Sequence, residues 1–446
     1  MKAFAAGAPF AAATVDELVN ESNPFRRPVR PDDLDFLDYT AELPAADAGS
    51  LSGLLGHRML LNAYETDLVF LPQADPSPSW TDSRSFYSPE SRLLADLARP
   101  VLEHHLFSHL DDPAEDSPCE AASIVDQAIA EHERLAETDL TGHAIRDLVD
   151  PRSGSVLLLL QVSATAASRA AALGRCALGD DARAIDVTGA FLAAFVEERS
   201  RLPQLDRLLL DADLSVGPRA YWQFYLGSTL ACTTHLHRVC RDHARLFEAI
   251  GALVHHTAVQ PVLAEQRREL IGQTVGANVE YFDPPSGAPR SLRTQIEAIV
   301  AGPLDRYGSA FAEGCRRGFD AARRLAATAE NDFITQISWA DRLDANKARG
   351  QAIRQHLHDE QIEVDLDTFV EGCEVTSTTH VHDDHRLVVI ERGEMHFWNN
   401  AGPKIPLATG DAILIPKGRL HGSTVLSGEC TYHQPIIPDE ILEAVR

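Results

Sequence analysis

The hydrophobic pattern of the 446-residue chain changes near residue 361, and this change limits the folds available to it. Before that point, apolar residues recur at three- and four-residue spacing in successive segments, which predicts amphipathic helices. After it, short β-branched segments such as RLVVIERGEMHFW and DAILIPKG are separated by Gly, Pro and Asn, as is typical of a small antiparallel barrel. The sequence therefore predicts an α+β multidomain chain, with a helical bundle followed by a C-terminal β-barrel.

The length of the chain also favours several domains, because one hydrophobic core stops growing near roughly 250–300 residues. We predict an N-terminal helical region at 1–125, the helical bundle at 126–345 and the barrel at 346–446. A short helical segment, VDELVNE, falls in the first region. The segment DRLDANKARGQAIRQHLH, which joins bundle and barrel, is predicted to be helical rather than flexible.

The charge of the chain disfavours two classes of partner. Asp and Glu number 66 against 40 Lys and Arg, a formal net charge of -26, so nucleic acids and anionic membrane surfaces are repelled. No run of about eighteen apolar residues and no signal peptide are recognised. The seven cysteines form no CxxC motif and their number is odd, which indicates a reducing, cytoplasmic location.

Three histidines in the predicted barrel form the strongest motif. THVHDDHRLVVIERGE places His380 and His382 two residues apart on a strand, so both side chains point to one face. TGDAILIPKGRLHG supplies the third, His421. Together the segments resemble the cupin signature, HxH followed by G-x5-P-x-G-x2-H, with Gly393 where the first motif ends.

Three neutral imidazoles suit divalent iron, zinc, copper, nickel or manganese, so the spacing predicts a metal site without selecting the metal. For cupins of this type, the resemblance implies iron(II). The alternative is a cupin that keeps its glycines and prolines for folding and binds no metal.

One position departs from the cupin pattern. Cupins commonly carry a glutamate as a fourth ligand, but Arg386 occupies that position when counted back from Gly393, and arginine cannot ligate a metal. We predict a three-histidine site in which Arg386 binds a substrate carboxylate through its planar guanidinium. The alternative is an internal salt bridge, to Asp384, Glu391 or Glu394.

The order of helical bundle and cupin resembles the N-nitrosourea synthases of the streptozotocin type. VEYFD, and the long segment IVAGPLDRYGSAFAEGCRRGFDAARRLAATAENDFITQISWADR, are similar to the final helices of their central domain. The resemblance implies an N-terminal dimerisation region, a central heme-oxygenase-like domain and an iron cupin. It therefore implies a homodimer, Fe(II) at the three histidines and O2 as co-substrate.

The family's diiron ligands are not recognisable in the central segment. They include an H-x3-D-x2-H set after a Tyr-Phe dipeptide, but DPPSGAPRSL follows Tyr281-Phe282 here, and no histidine occurs between His256 and His356. His255 stands where a family helix bears a glutamate. Two glutamates remain as candidate remnants, Glu197 and Glu198. We predict that the bundle lacks a diiron site.

The remaining polar residues are given structural roles. His235 and His237 are two apart on a helix and face different ways, so they are a poor chelate. Asp383 and Asp384 are predicted to be solvated at a corner between strands. Five other side chains are candidates to line the barrel pocket: His385, His396, Trp398, Tyr432 and His433.

The family resemblance implies a function for the barrel. An N-hydroxylated guanidine, derived from arginine, would be rearranged with O2 to an N-nitroso product. Because the bundle is predicted to lack a diiron site, the hydroxyl group would be added by another enzyme, or the cupin would accept a different N-hydroxy substrate. The alternatives are a cupin dioxygenase of another amino acid or thiol, a non-catalytic sensor of a small molecule, and a partner subunit of an active diiron homologue.

Overall fold

The computed structural model describes residues 1–7, 29–35, 37–68, 86–111, 121–179, 187–216, 221–284, 291–373, 376–398 and 404–445. Within these residues the chain is helical up to Asp359 and forms strands from Thr368, as the change in patterning predicts. The α+β architecture is confirmed. The helix predicted at VDELVNE lies outside the described residues.

The N-terminal region contains α1 (Lys2–Gly7), α2 (Leu51–Glu65) and α3 (Pro89–Asp111). The hydroxyl of Ser50 caps α2 by accepting a hydrogen bond from the backbone N–H of Gly53 at 3.1 Å. Nearly every residue of α2 is buried, because the helix packs against α3 on one side and against the bundle on the other. This region is therefore built onto the bundle.

The bundle contains seven described helices. They are α4 (Ala121–Thr138), α5 (Leu140–Arg146), α6 (Pro151–Gly179), α7 (Thr188–Asp211), α8 (Gly227–Arg241), α9 (Leu246–Thr274) and α10 (Leu292–Asp341). Helices α9 and α10 cross at backbone contact, since a Cβ at Gly251 would lie 1.9 Å from the carbonyl oxygen of Cys315. Helix α10 is kinked at Gly308, where φ is 56°.

One bundle helix is long and apolar enough to cross a membrane by length and composition alone. Its span is Pro151–Leu178, and 72% of its most apolar window is buried inside the protein. The contacts of α6 with α7 and α8 account for this burial. The central helix of a bundle has the same properties, so the feature is weak support for a membrane span.

The barrel consists of two antiparallel four-stranded sheets. Their strand orders are β1-β8-β3-β6 and β2-β7-β4-β5. The strands are β1 (Thr368–Gly372), β2 (Thr376–His380), β3 (Arg386–Arg392), β4 (Glu394–Trp398), β5 (Ile405–Ala408), β6 (Ala412–Ile415), β7 (His421–Val425) and β8 (Glu429–His433). Helix α11 (Leu343–Asp359) precedes the barrel and packs on β6, and α12 (Asp439–Ala444) follows it.

The end of α10 joins the bundle to the barrel. Trp339 is 6% exposed and packs in the barrel core with Val388 and Phe397. One turn earlier, the amide of Gln336 accepts a hydrogen bond from Leu420 N–H at 3.0 Å. The metal motif residue His421 therefore follows directly on a segment that the bundle holds in place.

Candidate metal centre

The three motif histidines meet because two neighbouring strands carry them. Strand β2 ends at His380, and β7 begins at His421, and the two residues are direct partners in the antiparallel register. His382 lies two residues beyond His380, on the same face of the extended chain. The hairpin between β3 and β4 turns at Gly393, where φ is 100° and a Cβ would lie 2.5 Å from the carbonyl oxygen of Glu429.

The distances between the histidines fit ligands of one metal ion. The Nε2 atoms of His380 and His382 are 3.2 Å apart. Two nitrogen ligands at 2.0–2.1 Å from one ion lie about 2.9–3.4 Å apart for right-angle to tetrahedral geometry. The ring centroid of His421 lies 4.2 Å from that of His380 and 5.0 Å from that of His382. Among the described residues, this is the one group of three or more such side chains that converge.

His421 is oriented for ligation by its own backbone surroundings. Its Nδ1–H donates to the carbonyl oxygen of Arg419 at 2.8 Å, which leaves Nε2 as the nitrogen with a free lone pair. That Nε2 is buried and has no hydrogen-bond partner among the described residues. A buried acceptor without a partner is costly, and a metal ion would satisfy it.

Two of the three histidines are in the neutral state that binds metals. Burial, together with the neighbouring His380 and Arg386, lowers the pKa of His382 to about 3. Burial, with His380 and His382 beside it, also holds the pKa of His421 well below its usual value. The imidazoles of His382 and His421 are therefore neutral near pH 7, and the residues present fit a divalent metal.

Aromatic side chains form one wall of the centre. Phe397 stacks on His421 with the ring centroids 5.7 Å apart and the planes at 16°. Trp339 meets His421 edge-on at 6.4 Å, and its Nε1–H is buried without a partner among the described atoms. Trp339 was not predicted as a site residue, because it belongs to a bundle helix that no barrel motif indicates.

Arg386 has a carboxylate partner of its own. Its Nε donates to Oδ1 of Asp384 at 2.6 Å, and its Nη2 donates to Oδ2 at 3.1 Å, which is a bidentate pair. Its Nη1 also lies 3.4 Å from Oδ2 of Asp367. The guanidinium is close enough to the centre to lower the pKa of His382. A role in binding a substrate carboxylate stays a prediction for Arg386.

Asp383 is exposed, as predicted, whereas Asp384 is half-buried. Asp383 accepts a hydrogen bond from the backbone N–H of Leu51 and so ties the barrel to the start of α2. Asp384 is held in the ion pair with Arg386. The contact with Leu51 joins residues that are distant in the chain, and the pair with Arg386 forms at a corner between strands. The strand pattern alone reveals neither contact.

Other predicted pocket residues have local partners. The ring of His385 accepts from Lys417 N–H at 3.2 Å, and the hydroxyl of Tyr432 donates to Glu371 at 3.0 Å. His433 is 2.8 Å from the hydroxyl of Thr368. These contacts give the side chains structural roles, and within the described part of the barrel none of these contacts is to the three histidines. Lys404 lies over the ring of Trp398.

The candidate diiron remnants in the bundle are paired with cations. Glu198 accepts from Nη2 of Arg169 at 2.7 Å and lies 3.4 Å from Nε2 of His256. Glu197 pairs with Arg201 at 2.9 Å on the surface side of α7. His235 and His237 diverge as predicted, and the latter bonds Ser168.

Comparisons with known proteins agree with this geometry. The family model for the cupin domain matches residues 368–433, which contain all three histidines. Nitrosourea synthase from Streptomyces achromogenes subsp. streptozoticus is 28% identical over 427 residues, 93% of this chain and 90% of that protein. The chain is therefore similar to nitrosourea synthase over nearly its whole length. The similarity extends over the long N-terminal part as well as the segment that matches the cupin model.

Among solved structures, KdgF from Halomonas sp. matches at 20% identity, with a TM-score of 0.15. The match covers 18% of this chain and 80% of that protein.

Proposed function

We propose that this chain is a non-heme iron(II) enzyme whose cupin domain forms an N-nitroso product from an N-hydroxylated guanidine derived from arginine, with O2 as co-substrate. The observation that carries the proposal is the convergence of three histidines, with their ligand atoms within 4.8 Å of one another, in a chain similar to nitrosourea synthase. An enzyme with this activity would belong to specialised metabolism, in which N-nitroso compounds are products.

His380, His382 and His421 would hold the metal. When bound, iron(II) supplies the electrons for chemistry with O2 and a positive charge that orients an electron-rich substrate. Three protein ligands leave further coordination positions for substrate and co-substrate, because no carboxylate of the described residues joins the histidines.

The side chains around the centre would handle the substrate. The guanidinium of Arg386 would bind the amino-acid carboxylate, exchanging part of its pair with Asp384, whose side chain is 30% exposed. The indole of Trp339 and the ring of Phe397 exclude water from one side of His421. Exclusion of water strengthens electrostatic contacts in the pocket and limits hydrolysis of a reactive product.

The bundle would act as a scaffold that lacks a diiron site. Glu198 is engaged by Arg169 and His256, so its carboxylate is not available to a metal. The N-hydroxyl group would then be added by a separate enzyme. We further propose that the chain works in the cytoplasm as a homodimer, and that its partner molecules are small rather than nucleic acid or membrane.

Metal content after anaerobic loading with iron(II) tests the proposal. We expect about one iron per chain in the wild type, since one three-histidine centre holds one ion. The ion should be lost in His421→Ala and kept in His396→Ala, which removes a half-buried barrel histidine outside the cluster. About three irons per chain, two of which survive His421→Ala, would restore a diiron site and contradict the scaffold role.

Product formation distinguishes the reaction from its alternatives. With an N-hydroxylated arginine and O2, the iron-loaded chain should give an N-nitroso product detectable by mass spectrometry. A sulfinate from a thiol substrate, with no N-nitroso product, would instead establish a thiol dioxygenase.

A further inference from the structure

The loops that carry the metal motif form part of the contact between the barrel and the helices. Gly418 links the two loops, because its N–H donates to the carbonyl oxygen of His382 at 2.8 Å. It also approaches the segment that leads into α2, since a Cβ at Gly418 would lie 3.3 Å from the carbonyl oxygen of Gly49. The hydrogen bond from Leu51 to Asp383 lies at the same contact. The ligand-bearing end of the barrel is therefore seated on the helical region.

One peptide unit connects α10 with the ring of His421. The Arg419–Leu420 peptide is planar, so its C=O and N–H move together. Its N–H donates to Oε1 of Gln336 at 3.0 Å, and its C=O accepts the Nδ1–H of His421 at 2.8 Å. The Nε2 of Gln336 also donates to the carbonyl oxygen of Leu420 at 3.4 Å. A single fully buried amide of the bundle therefore fixes the plane that orients a metal ligand.

The side chain of Arg419 is held by a second residue of α10. Its Nη2 donates to Oδ1 of Asp332 at 2.8 Å, and its Nη1 donates to the backbone carbonyl oxygen of Asp332 at 3.2 Å. The two side chains are 12% and 11% exposed, so solvent and salt screen their attraction little. Asp332 lies four residues before Gln336, and residues four apart share one face of a helix. One face of α10 therefore binds both ends of the same peptide unit.

Asp332 is itself fixed by the start of α8. Its Oδ2 accepts a hydrogen bond at 2.6 Å from the hydroxyl of Ser228, which is buried in the first turn of α8. The preceding residue, Gly227, brings the two helix starts together, since a Cβ there would lie 2.8 Å from the carbonyl oxygen of Ala48. The carboxylate that holds Arg419 is thus set by packing of the helices, independently of the barrel strands.

We propose that Gln336 and Asp332 are positioning residues, through which the bundle sets the affinity of the barrel for its metal. The N–H of a ligating histidine needs a fixed acceptor, and loss of such a partner typically weakens metal binding about 10–100-fold. Here the acceptor is the carbonyl oxygen of Arg419, and α10 holds it in place. The inference rests on the proposed function in one respect, that the three histidines bind a divalent metal.

Thermodynamic linkage adds a consequence at a distance. If the contact with α10 favours metal binding, then the bound metal must favour that contact by the same free energy. The effect should reach Leu51, which bonds the loop after His382 although α2 carries no ligand. Metal loading should therefore tighten the helical region as well as the barrel.

Metal affinity of the full chain tests the positioning role, with Co(II) as the probe because its visible bands report ligand number and geometry. Gln336→Met removes both hydrogen bonds at similar length and should weaken Co(II) binding about 10-fold or more. Asp332→Asn removes the charge that holds Arg419 and should weaken it about 3–10-fold. In both variants the absorption bands should shift. The matched control is Asp411→Asn, which breaks a barrel pair of equal length with Lys347 and should leave the affinity within about twofold.

A conservative variant separates positioning from simple loss of stability. Asp332→Glu keeps the ion pair with Arg419 and should recover most of the Co(II) affinity that Asp332→Asn loses. The free energy of unfolding of the metal-free chains is measured in parallel. If Gln336→Met and Asp332→Asn are less stable but bind Co(II) with wild-type affinity and an unchanged spectrum, their role is structural only and the proposal is overturned.

Hydrogen exchange followed by mass spectrometry tests the linkage without any variant. Loading the wild type with Co(II) should slow exchange in peptides that contain Leu51 and Leu420, whereas peptides from α4 should not change. Unchanged exchange at Leu51 would contradict the coupling. Failure of the wild type to bind Co(II) would contradict the proposed function together with this inference. Equal affinities in the wild type and Gln336→Met would contradict this inference alone.

Discussion

The bundle and the barrel both bury histidines, but they use them differently. In the barrel, three ring systems converge and no carboxylate joins them among the described residues. In the bundle, His256 lies beside Glu198, and Glu198 is engaged by Arg169. Residue types that can bind metals are therefore present in both places. What distinguishes the candidate metal centre is that its ligand atoms face one another, whereas the bundle carboxylate faces a guanidinium.

Charge pairing explains why the bundle set is unsuited to iron. Burial tends to raise the pKa of Glu198, yet Arg169 and His256 hold it below its ordinary value. The carboxylate is ionised, and its negative charge is already balanced by the guanidinium. A metal ion at this position would have to break that pair and leave a buried arginine uncompensated, which costs several kcal/mol.

The largest difference between the regions should appear in activity. His382→Ala removes a barrel ligand and should lower N-nitroso product formation by about 10⁴-fold or more, equivalent to about 5 kcal/mol in the barrier. His237→Gln replaces a bundle histidine that bonds Ser168 and should leave the rate within about threefold. Product is measured by mass spectrometry at saturating O2. Equal losses of activity in the two variants would contradict the assignment of the metal site to the barrel alone.

The stability of the joint between the regions depends on Trp339. Trp339→Ala should lower the free energy of unfolding by about 3–5 kcal/mol, because it leaves a cavity in the barrel core. Trp398→Ala, at a half-exposed barrel position, is the control and should cost much less. Urea unfolding followed by circular dichroism measures both. A loss below about 1 kcal/mol for Trp339→Ala would show that the bundle does not support the barrel.

Acid should lower the stability of the fold by protonating the buried histidines of the bundle. The pKa of His256 is lowered to about 4, chiefly by burial, so the folded state binds fewer protons than the unfolded state, in which the ordinary value is 6.5. Its contribution is complete above pH 6.5 and is lost as the pH falls toward 4, by about 3 kcal/mol.

His256→Gln should therefore lose less stability than the wild type between pH 7 and pH 4. The exposed histidine variant His358→Gln should show the wild-type dependence. The free energy of unfolding in urea, measured at pH 7, 5 and 4, provides the test. Parallel curves for His256→Gln and the wild type would contradict the assignment of a buried neutral ring.

The smallest effect on stability is expected at the edge of the metal centre. Arg386→Gln removes the pair with Asp384 and should change the free energy of unfolding by about 1 kcal/mol or less. If Arg386 binds the substrate carboxylate, KM should rise about 10-fold while iron content stays constant. Lys347→Gln breaks a comparable barrel pair, with Asp411 at 2.8 Å, and should not alter KM. An unchanged KM in Arg386→Gln would make the residue purely structural.

The sequence predicts local features well and distant contacts poorly. The approach of His380 and His382 follows from strand periodicity, and the cupin signature adds His421, because each signal is contained within a few residues. The contacts of Trp339 with the barrel and of Asp383 with Leu51 join segments far apart in the chain. The pairing of Arg386 was one of the alternatives that its sequence position left open, and only side-chain geometry shows the contact with Asp384.

The position of Trp339 limits how this architecture can be divided. A barrel taken from residue 346 onward would lack the tryptophan of its core cluster, because that side chain arrives from the end of α10. Exchange of cupin domains between homologues would therefore require the exchange of the last turns of α10 as well. In evolution, the helix end and the barrel it fills would be inherited as one unit, with the border between domains lying inside a helix rather than in a linker.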